Sequence, residues 1–148
     1  MPGQKLYLDS SALAKRYVEE NGSEAVDSIF TDAEKGEATL VFSLWNVGEL
    51  AVVFDKYERD GLLEARTVMK TFLEEMKRLG KARSAEVVPV AGALMADAIA
   101  YTLKHHLYIA DSLQIASSQT AGASKFVTAD RLLARAAKDE GLDTLLVD

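Results

Sequence analysis

Leu-Tyr-Leu-Asp-Ser-Ser-Ala-Leu, at residues 6–13, joins a short β-prone run to the start of a helix. Residues 5–8 predict a strand and residues 10–17 predict the beginning of a helix, which places Asp9 at the junction. In open α/β sheets this edge, beyond the carboxyl ends of the strands, is where ligands bind. An aspartate before two serines is also a good helix N-cap, and this stretch alone favours the cap. The rest of the chain has to decide between the two roles.

Strands and helices alternate along the rest of the chain. Further strands are predicted at residues 38–42, 86–90, 125–128 and 144–147. Helices are predicted at residues 23–35, 44–59, 62–79, 91–104, 109–120 and 130–139. This alternation predicts an α/β fold with a parallel sheet covered by helices on both faces. We expect residues 1–148 to form one domain.

Two of these helices carry more apolar surface than the others. The helix at residues 44–59 is apolar on almost every face, which predicts a central position in the core. With the amphipathic helix at residues 62–79 it is expected to form a long helical hairpin that has more apolar surface than its own core contacts would cover. This hairpin is therefore a candidate face for a dimer or another partner.

Composition excludes several classes of protein. With 49% hydrophobic and 27% charged residues, the chain has the composition of a globular protein, and no apolar run reaches the roughly 18 residues that span a bilayer. The first five residues lack the apolar core of a signal peptide. The absence of cysteine excludes disulfides and thiolate zinc sites and fits a cytoplasmic protein. A net charge of −6 argues against a general nucleic-acid coating protein, but acids that hold metal ions are compatible with a nuclease.

Four acids occupy positions where a solvated surface charge is hard to explain. Asp9 and Asp130 each follow a strand, whereas Glu49 and Asp111 lie inside apolar helical segments. Burial of an unpaired carboxylate costs several kcal/mol, and a shared divalent cation removes that cost. A parallel sheet brings its strand ends to one edge, where the early turns of the two helices also lie. Oxygen ligands of this kind suit Mg²⁺ or Mn²⁺.

Each acid also has a structural interpretation. Asp130 could cap the helix that follows it, and Asp111 could pair with Lys104 or a buried serine. Glu49 has no such partner on its own helix, because Trp45 and Val53 occupy the positions four residues away. Four independent coincidences are a poorer explanation than one metal site.

Other polar or aromatic candidates carry weaker signals. His105 and His106 end a helix, where they are expected to interact with its carbonyl groups through the helix dipole. Trp45 lies in apolar sequence and is expected in the core. Asp97 is a fifth acid in an apolar helix and is a secondary candidate only.

At the four acids the chain resembles the PIN-domain nucleases, in particular the VapC-type toxins of prokaryotic toxin–antitoxin pairs. The resemblance covers essentially the whole length. Four short motifs carry it: Leu-Asp-Ser-Ser-Ala-Leu at 8–13, Trp-Asn-Val-Gly-Glu-Leu at 45–50, Ile-Ala-Asp-Ser-Leu-Gln-Ile-Ala at 109–116, and Val-Thr-Ala-Asp-Arg at 127–131. Ser112 departs from the alanine that often follows the third-motif aspartate. The order and spacing of the motifs make the combination specific.

The resemblance implies a three-layer α/β/α sandwich with a parallel sheet of four to five strands. It also implies cleavage of single-stranded RNA in a Mg²⁺ or Mn²⁺ pocket, a homodimer or larger oligomer, and inhibition by a cognate VapB-type antitoxin. Carried over by motif, the catalytic and metal-binding acids are Asp9, Glu49, Asp111 and Asp130. Ser10, Asn46 and Thr128 match polar positions that support the pocket.

These residues suggest metal-dependent hydrolysis of phosphodiester bonds. Asp9 and Asp111 are the first choices for direct ligands, and Asp130 and Glu49 are expected to act through water. Thr128 is expected to hydrogen-bond a ligating carboxylate. The basic residues nearest in sequence to the two strand-end acids are the candidates for RNA contact: Lys15, Arg16, Arg131 and Arg135.

Two other classes of function compete with this hypothesis. A non-catalytic binding or scaffold protein could keep the same fold, although retention of all four acids speaks against it. A phosphatase of the haloacid-dehalogenase type also places an aspartate at the end of its first strand. It requires a second aspartate two residues later, where this chain has Ser11. A receiver domain requires an acidic pair in its first loop and an acceptor after its third strand, and neither is present.

Overall fold

The computed structural model describes residues 3–148, and Met1 and Pro2 of the N-terminal stretch considered above lie outside the described residues. The strands are β1 (Gln4–Leu8), β2 (Ala38–Ser43), β3 (Ala85–Val88), β4 (Lys125–Thr128) and β5 (Thr144–Leu146). The helices are α1 (Ser10–Ala14), α2 (Ser23–Glu34), α3 (Leu44–Arg59), α4 (Ala65–Lys81), α5 (Gly92–His105), α6 (Ile109–Ala121) and α7 (Arg131–Asp139). Every strand and helix predicted from the sequence is present.

The five strands form one sheet in the order β3-β2-β1-β4-β5, and all neighbouring pairs are parallel. The first strand therefore lies at the centre, where Tyr7 pairs with Val41 on one side and Phe126 on the other. Because the strands are parallel, their carboxyl ends share one edge. Asp9, which follows β1, is consequently flanked by the ends of β2 and β4.

Alternating side chains of the central strand enter two separate cores. Leu6 and Leu8 pack with Phe42 and the buried faces of α1 to α4 on one side of the sheet. Tyr7 packs on the other side with Phe126 and the buried faces of α5 to α7. This alternation follows from the two-residue period of a strand. It produces the three-layer α/β/α sandwich that the sequence predicts.

The prediction that helix α3 is central was wrong. Trp45 is 47% exposed, and Leu44 and Val52 are exposed as well. The buried positions are Asn46, Leu50 and Phe54, which recur every four residues and form a single inward stripe. Much of the apolar surface of α3 therefore faces outward.

Several element bounds also differ from the prediction. The first helix is short and ends at Ala14. Helix α4 begins at Ala65, three residues later than predicted, because the Glu58 carboxylate accepts a hydrogen bond from the Ala65 amide at 3.0 Å and fixes the start there. Strand β3 ends at Val88, immediately before Pro89, which lacks the N–H needed to continue the ladder. Within residues 3–148, no helix is long and apolar enough to cross a membrane.

Candidate functional site

Asp9 is both a helix cap and a buried carboxylate at the sheet edge. Its Oδ1 atom accepts hydrogen bonds from the Ala12 amide at 2.9 Å and the Ser11 hydroxyl at 2.7 Å. Its Oδ2 atom accepts the Thr128 hydroxyl at 2.6 Å, which ties the ends of β1 and β4 together. The side chain is almost completely buried although no cation of the protein pairs with it among the described residues. Capping and a role in the site are therefore compatible at Asp9.

Asp130 has the equivalent position after β4. Its Oδ1 atom caps α7 by accepting hydrogen bonds from the amides of Leu132 and Leu133 at 2.9 and 3.2 Å. Its own amide donates to the Thr128 hydroxyl oxygen at 3.0 Å. Thr128 thus links the two strand-end acids. The second carboxylate oxygen of Asp130 accepts no hydrogen bond from residues 3–148.

Glu49 enters the site from the second turn of α3. Three donors converge on its Oε1 atom: the Ser10 hydroxyl at 3.2 Å, the Asn46 amide at 3.3 Å and the Gln114 amide at 3.4 Å. Asn46 is itself held by the capping box of α3, in which the Ser43 amide donates to its Oδ1 atom at 2.7 Å. Within the described part of the chain, Oε2 of Glu49 has no protein donor.

Asp111 lies half-buried in the first turn of α6. Neither of its carboxylate oxygens accepts a hydrogen bond from the described residues. The alternative pairing with Lys104 is wrong, because the Lys104 ammonium lies 2.7 Å from the Glu140 carboxylate instead. A partly buried carboxylate without a donor is costly unless something outside the chain compensates its charge.

The pKa values of these acids show that they influence one another. Burial and, to a smaller extent, the charge of Asp130 together raise the pKa of Asp9 to about 6, against three hydrogen bonds that favour its ionised form. Burial also raises the pKa of Glu49, with contributions from Asp111 and Asp9. The pKa of Asp111 is raised by burial and by Asp130. The structure therefore brings all four acids into one electrostatic group.

The donor set of this group suits a hard divalent cation. Oxygens that no protein donor occupies are present on Glu49, Asp111 and Asp130, and carboxylate oxygen is the ligand that Mg²⁺ and Mn²⁺ prefer. Among residues 3–148, no three acidic or histidine side chains already converge closely enough to hold a metal ion. A cation would therefore have to draw these side chains closer together and offset the repulsion between their negative charges.

The polar residues that the sequence assigned to the pocket lie within it: Ser10 and Asn46 contact Glu49, and Thr128 contacts Asp9. Sequence reasoning missed Ser11 and Gln114, which contact the same two acids. Both belong to the motifs themselves, two residues after Asp9 and three after Asp111. That proximity was the available signal. Asp97, the secondary candidate, is exposed on α5 and lies outside the site.

Tyr7 was also missed, and it supports the pocket from beneath. Its buried hydroxyl lies 2.5 Å from Oε1 of Gln114 and 3.2 Å from Oδ1 of Asn46. Burial raises the pKa of Tyr7 well above its ordinary value, which keeps the hydroxyl protonated and able to donate. Its position inside a strand gave no indication of this role.

Two of the four basic residues predicted to contact RNA form ion pairs within the protein. Lys15 is buried, and its ammonium binds the Glu20 carboxylate and the Asn21 carbonyl. Arg16 forms a two-pronged ion pair with Glu75 of α4, with nitrogen–oxygen distances of 2.9 and 3.2 Å. These contacts join α1 to its neighbours and leave neither side chain free for a phosphate.

The other two basic residues lie one turn apart on the exposed face of α7. The Arg131 guanidinium pairs with Asp148 at 2.7 Å but remains largely exposed. Arg135 lines a groove with His106 and Leu132, beside the loop that leads into α6. His105 does not cap its own helix, because its ring bonds Glu140 at 2.6 Å.

Comparison with known proteins agrees with this geometry. Residues 6–139 match the PIN domain family. Ribonuclease VapC3 from Pyrobaculum aerophilum is 33% identical over 133 residues, which cover 88% of this chain and 92% of that protein.

Two crystal structures share the fold at low sequence identity. VapC20 from Mycobacterium tuberculosis, a toxin that cleaves the sarcin-ricin loop, superposes with a TM-score of 0.64 at 15% identity, covering 88% of this chain and 94% of that one. VapBC2 from Rickettsia felis, bound to a promoter DNA fragment, superposes with a TM-score of 0.65 at 14% sequence identity, covering 98% of this chain and 100% of that one. At these identities the likeness shows the fold alone. The family match over residues 6–139, together with the 33% identity to Ribonuclease VapC3, shows that the chain belongs to the PIN-domain family.

Proposed function

We propose that this chain is a metal-dependent endoribonuclease that hydrolyses phosphodiester bonds in single-stranded RNA, and that it is the toxin of a toxin–antitoxin pair. The observation that carries the proposal is the electrostatic group of four acids at the carboxyl edge of the sheet. The 33% identity to a protein named as a ribonuclease of the VapC type supports the substrate class and the toxin role.

Each acid has a distinct part in the proposed site. Asp9 and Asp111 would be the direct ligands of Mg²⁺ or Mn²⁺, and Glu49 and Asp130 would hold the cation through water by their unoccupied oxygens. When bound, the cation supplies an activated water and stabilises charge on the phosphate. Thr128 fixes Asp9 in place by its 2.6 Å hydrogen bond. Ser10 and Asn46 fix Glu49 in the same way.

RNA contact is proposed along α7, beginning at Asp130. Arg131 and Arg135 present positive charge there, and His106 lines the same groove as Arg135. Tyr108, two residues after His106, is exposed. An exposed aromatic ring can stack an unpaired base, which fits a single-stranded substrate. Lys15 and Arg16 have no part in this proposal because the fold pairs them with its own carboxylates.

Two surfaces are proposed for protein partners. A groove of about 700 Å³ lies between α3 and α4, and we assign it to the antitoxin. Its floor is apolar, formed by Ala51, Met69 and Leu73, and its walls carry opposite charges, which suits an amphipathic segment. The exposed apolar face of α5, which includes Ile99 and Leu103, is assigned to a second copy of the chain.

The nuclease proposal is tested with Asp9→Asn. Asparagine is also a good N-cap, so the helix start and the fold are expected to persist. Cleavage of a fluorescent single-stranded RNA in the presence of Mn²⁺ is expected to fall by at least about 100-fold, because even residues outside the metal ligands cost up to that much when replaced. The experiment compares the variant with wild type, with and without a chelator.

Asp97→Asn is the matched control, since Asp97 is an exposed helical acid away from the site. It should cleave as wild type does. Undiminished cleavage by Asp9→Asn would remove the assigned site. Failure of the wild type to bind Mn²⁺ would favour a non-catalytic binding protein of the same fold.

A further inference from the structure

We propose that Tyr7 and Gln114 are positioning residues that hold the Glu49 carboxylate by its Oε1 atom and keep Oε2 available to hold the divalent cation through water. The inference rests on the proposed metal-dependent function for the identity of the ligand. Its structural basis is a buried chain of hydrogen bonds that runs from β1 through α6 to α3.

Gln114 is the centre of this chain. Its Nε2 atom donates to the Ala110 carbonyl at 3.1 Å and to Oε1 of Glu49 at 3.4 Å. Its Oε1 atom accepts the Tyr7 hydroxyl at 2.5 Å and the Asn46 amide at 2.9 Å. Each end of the Gln114 amide therefore has two partners.

These partners permit only one orientation of the Gln114 amide. A reversed amide would place its oxygen against the Ala110 carbonyl and the Glu49 carboxylate, both of which are acceptors. It would also turn its NH₂ group toward the Asn46 amide donor. The observed orientation satisfies all four contacts and directs a donor at Glu49.

Tyr7 supplies the donor that helps to fix this orientation. Its hydroxyl carries one proton, and the contact with Gln114 is much shorter than the 3.2 Å contact with Asn46. Oδ1 of Asn46 already accepts the Ser43 amide at 2.7 Å. The Tyr7 proton is therefore directed to Gln114.

The position of Tyr7 also connects two of the acids. It lies two residues before Asp9 on the central strand, so its backbone and that of Asp9 are fixed by the same sheet. A hydrogen-bond chain from this strand to Glu49 sets the glutamate relative to the strand-end aspartate. A cation that binds both acids then meets side chains that are already ordered, which strengthens its binding.

The test is a titration of the full chain with MnCl₂ in the absence of RNA, with free Mn²⁺ measured by electron paramagnetic resonance. Tyr7→Phe removes only the hydroxyl and is expected to weaken Mn²⁺ binding about tenfold, within the range for residues that orient metal ligands. Tyr101→Phe is the matched control, because the Tyr101 hydroxyl donates to Oε1 of Gln119 at 2.6 Å in an exposed contact between α5 and α6 that involves none of the four acids. It should bind Mn²⁺ as tightly as wild type.

A second readout separates positioning from a general loss of structure. RNA cleavage by Tyr7→Phe should return to the wild-type rate when Mn²⁺ is raised well above the weakened dissociation constant, whereas a damaged fold would not recover. Gln114→Met, which removes both ends of the amide at similar volume, provides a second variant and should weaken Mn²⁺ binding at least as much.

The outcomes distinguish this inference from the proposed function. Wild-type affinity for Mn²⁺ in both Tyr7→Phe and Gln114→Met would overturn the positioning role and leave the metal site intact. A wild-type chain that binds no Mn²⁺ would overturn both.

Discussion

A single residue, Asp9, is expected to couple the stability of the metal-free protein to pH. Burial raises its pKa to about 6 in the folded state, whereas the unfolded chain has the ordinary value near 3.8. Between these values the folded protein binds more protons than the unfolded chain, so stability falls as the pH rises through this window. Across the whole window, a pKa shift of this size changes the free energy of unfolding by about 3 kcal/mol.

Urea unfolding in the presence of a chelator at pH 5 and pH 7 measures this coupling. Wild type should be less stable at pH 7, and Asp9→Asn should reduce the difference by removing the Asp9 contribution. Glu49 and Asp111 contribute in the same direction because their pKa values are also raised, so part of the slope should remain. Identical pH slopes in wild type and variant would contradict the role of Asp9 burial.

At the residue scale, the sequence predicts the four acids but only part of their surroundings. Acids in apolar segments are visible because burial of charge needs an explanation. Their partners are less visible, since a polar helical residue such as Gln114 has no sequence signal that orients it. The ion pair that engages Arg16 was not visible in the sequence, because its partner Glu75 is 59 residues away. Charge pairing across that distance becomes apparent only in the folded structure.

At the scale of elements, the α3–α4 hairpin offers a test of the antitoxin proposal. Leu73 is 49% exposed and lines the groove between the two helices. Leu73→Glu places a charge against the apolar part of the groove and is expected to abolish binding of the proposed VapB-type antitoxin, because burial of an unpaired charge costs free energy. RNA cleavage should be unchanged. Co-purification and titration calorimetry measure the binding.

Leu145→Glu is the control for this experiment, since Leu145 is a partly exposed leucine on β5 outside the groove. It should bind the antitoxin normally. Retention of binding by Leu73→Glu would exclude the α3–α4 groove as the docking surface.

Helix α3 shows what the pattern of apolar residues in a sequence does not predict. The apolar residues of α3 predict a helix correctly, but they do not distinguish a face buried in the chain's own core from one left outside it. Trp45 and Val52 belong to the second kind. A sequence reports that a face is apolar, and the identity of whatever covers it depends on tertiary or quaternary structure.

At the scale of the whole molecule, the outer face of α5 predicts self-association. Ile99 and Leu103 lie four residues apart on this face, and Leu103 is 73% exposed. Leu103→Lys is expected to convert a homodimer to a monomer in size-exclusion chromatography with light scattering. Leu62→Lys is the matched control, because Leu62 is 67% exposed and lies in the α3–α4 connection. A dimer that persists in Leu103→Lys would move the interface elsewhere.

The sequence predicts the fold class of the molecule, but it does not predict the order of the strands in the sheet. Alternating strands and helices predict a parallel sheet and two helical layers, and both are present. The strand order β3-β2-β1-β4-β5 is not encoded in any local pattern, because it depends on which long-range pairings form. That order places Asp9 at the centre and brings Asp130 beside it.

The central position of β1 has a consequence for synthesis on the ribosome. Asp9 is translated before its neighbour strand β4, and the Thr128 hydroxyl that holds it lies 119 residues later in the chain. Domains fold as their segments emerge during translation. A nascent chain lacking the last two strands has neither Asp130 nor the contact that fixes Asp9. The order of translation thus delays assembly of the acid group until β4 and Asp130 have been made.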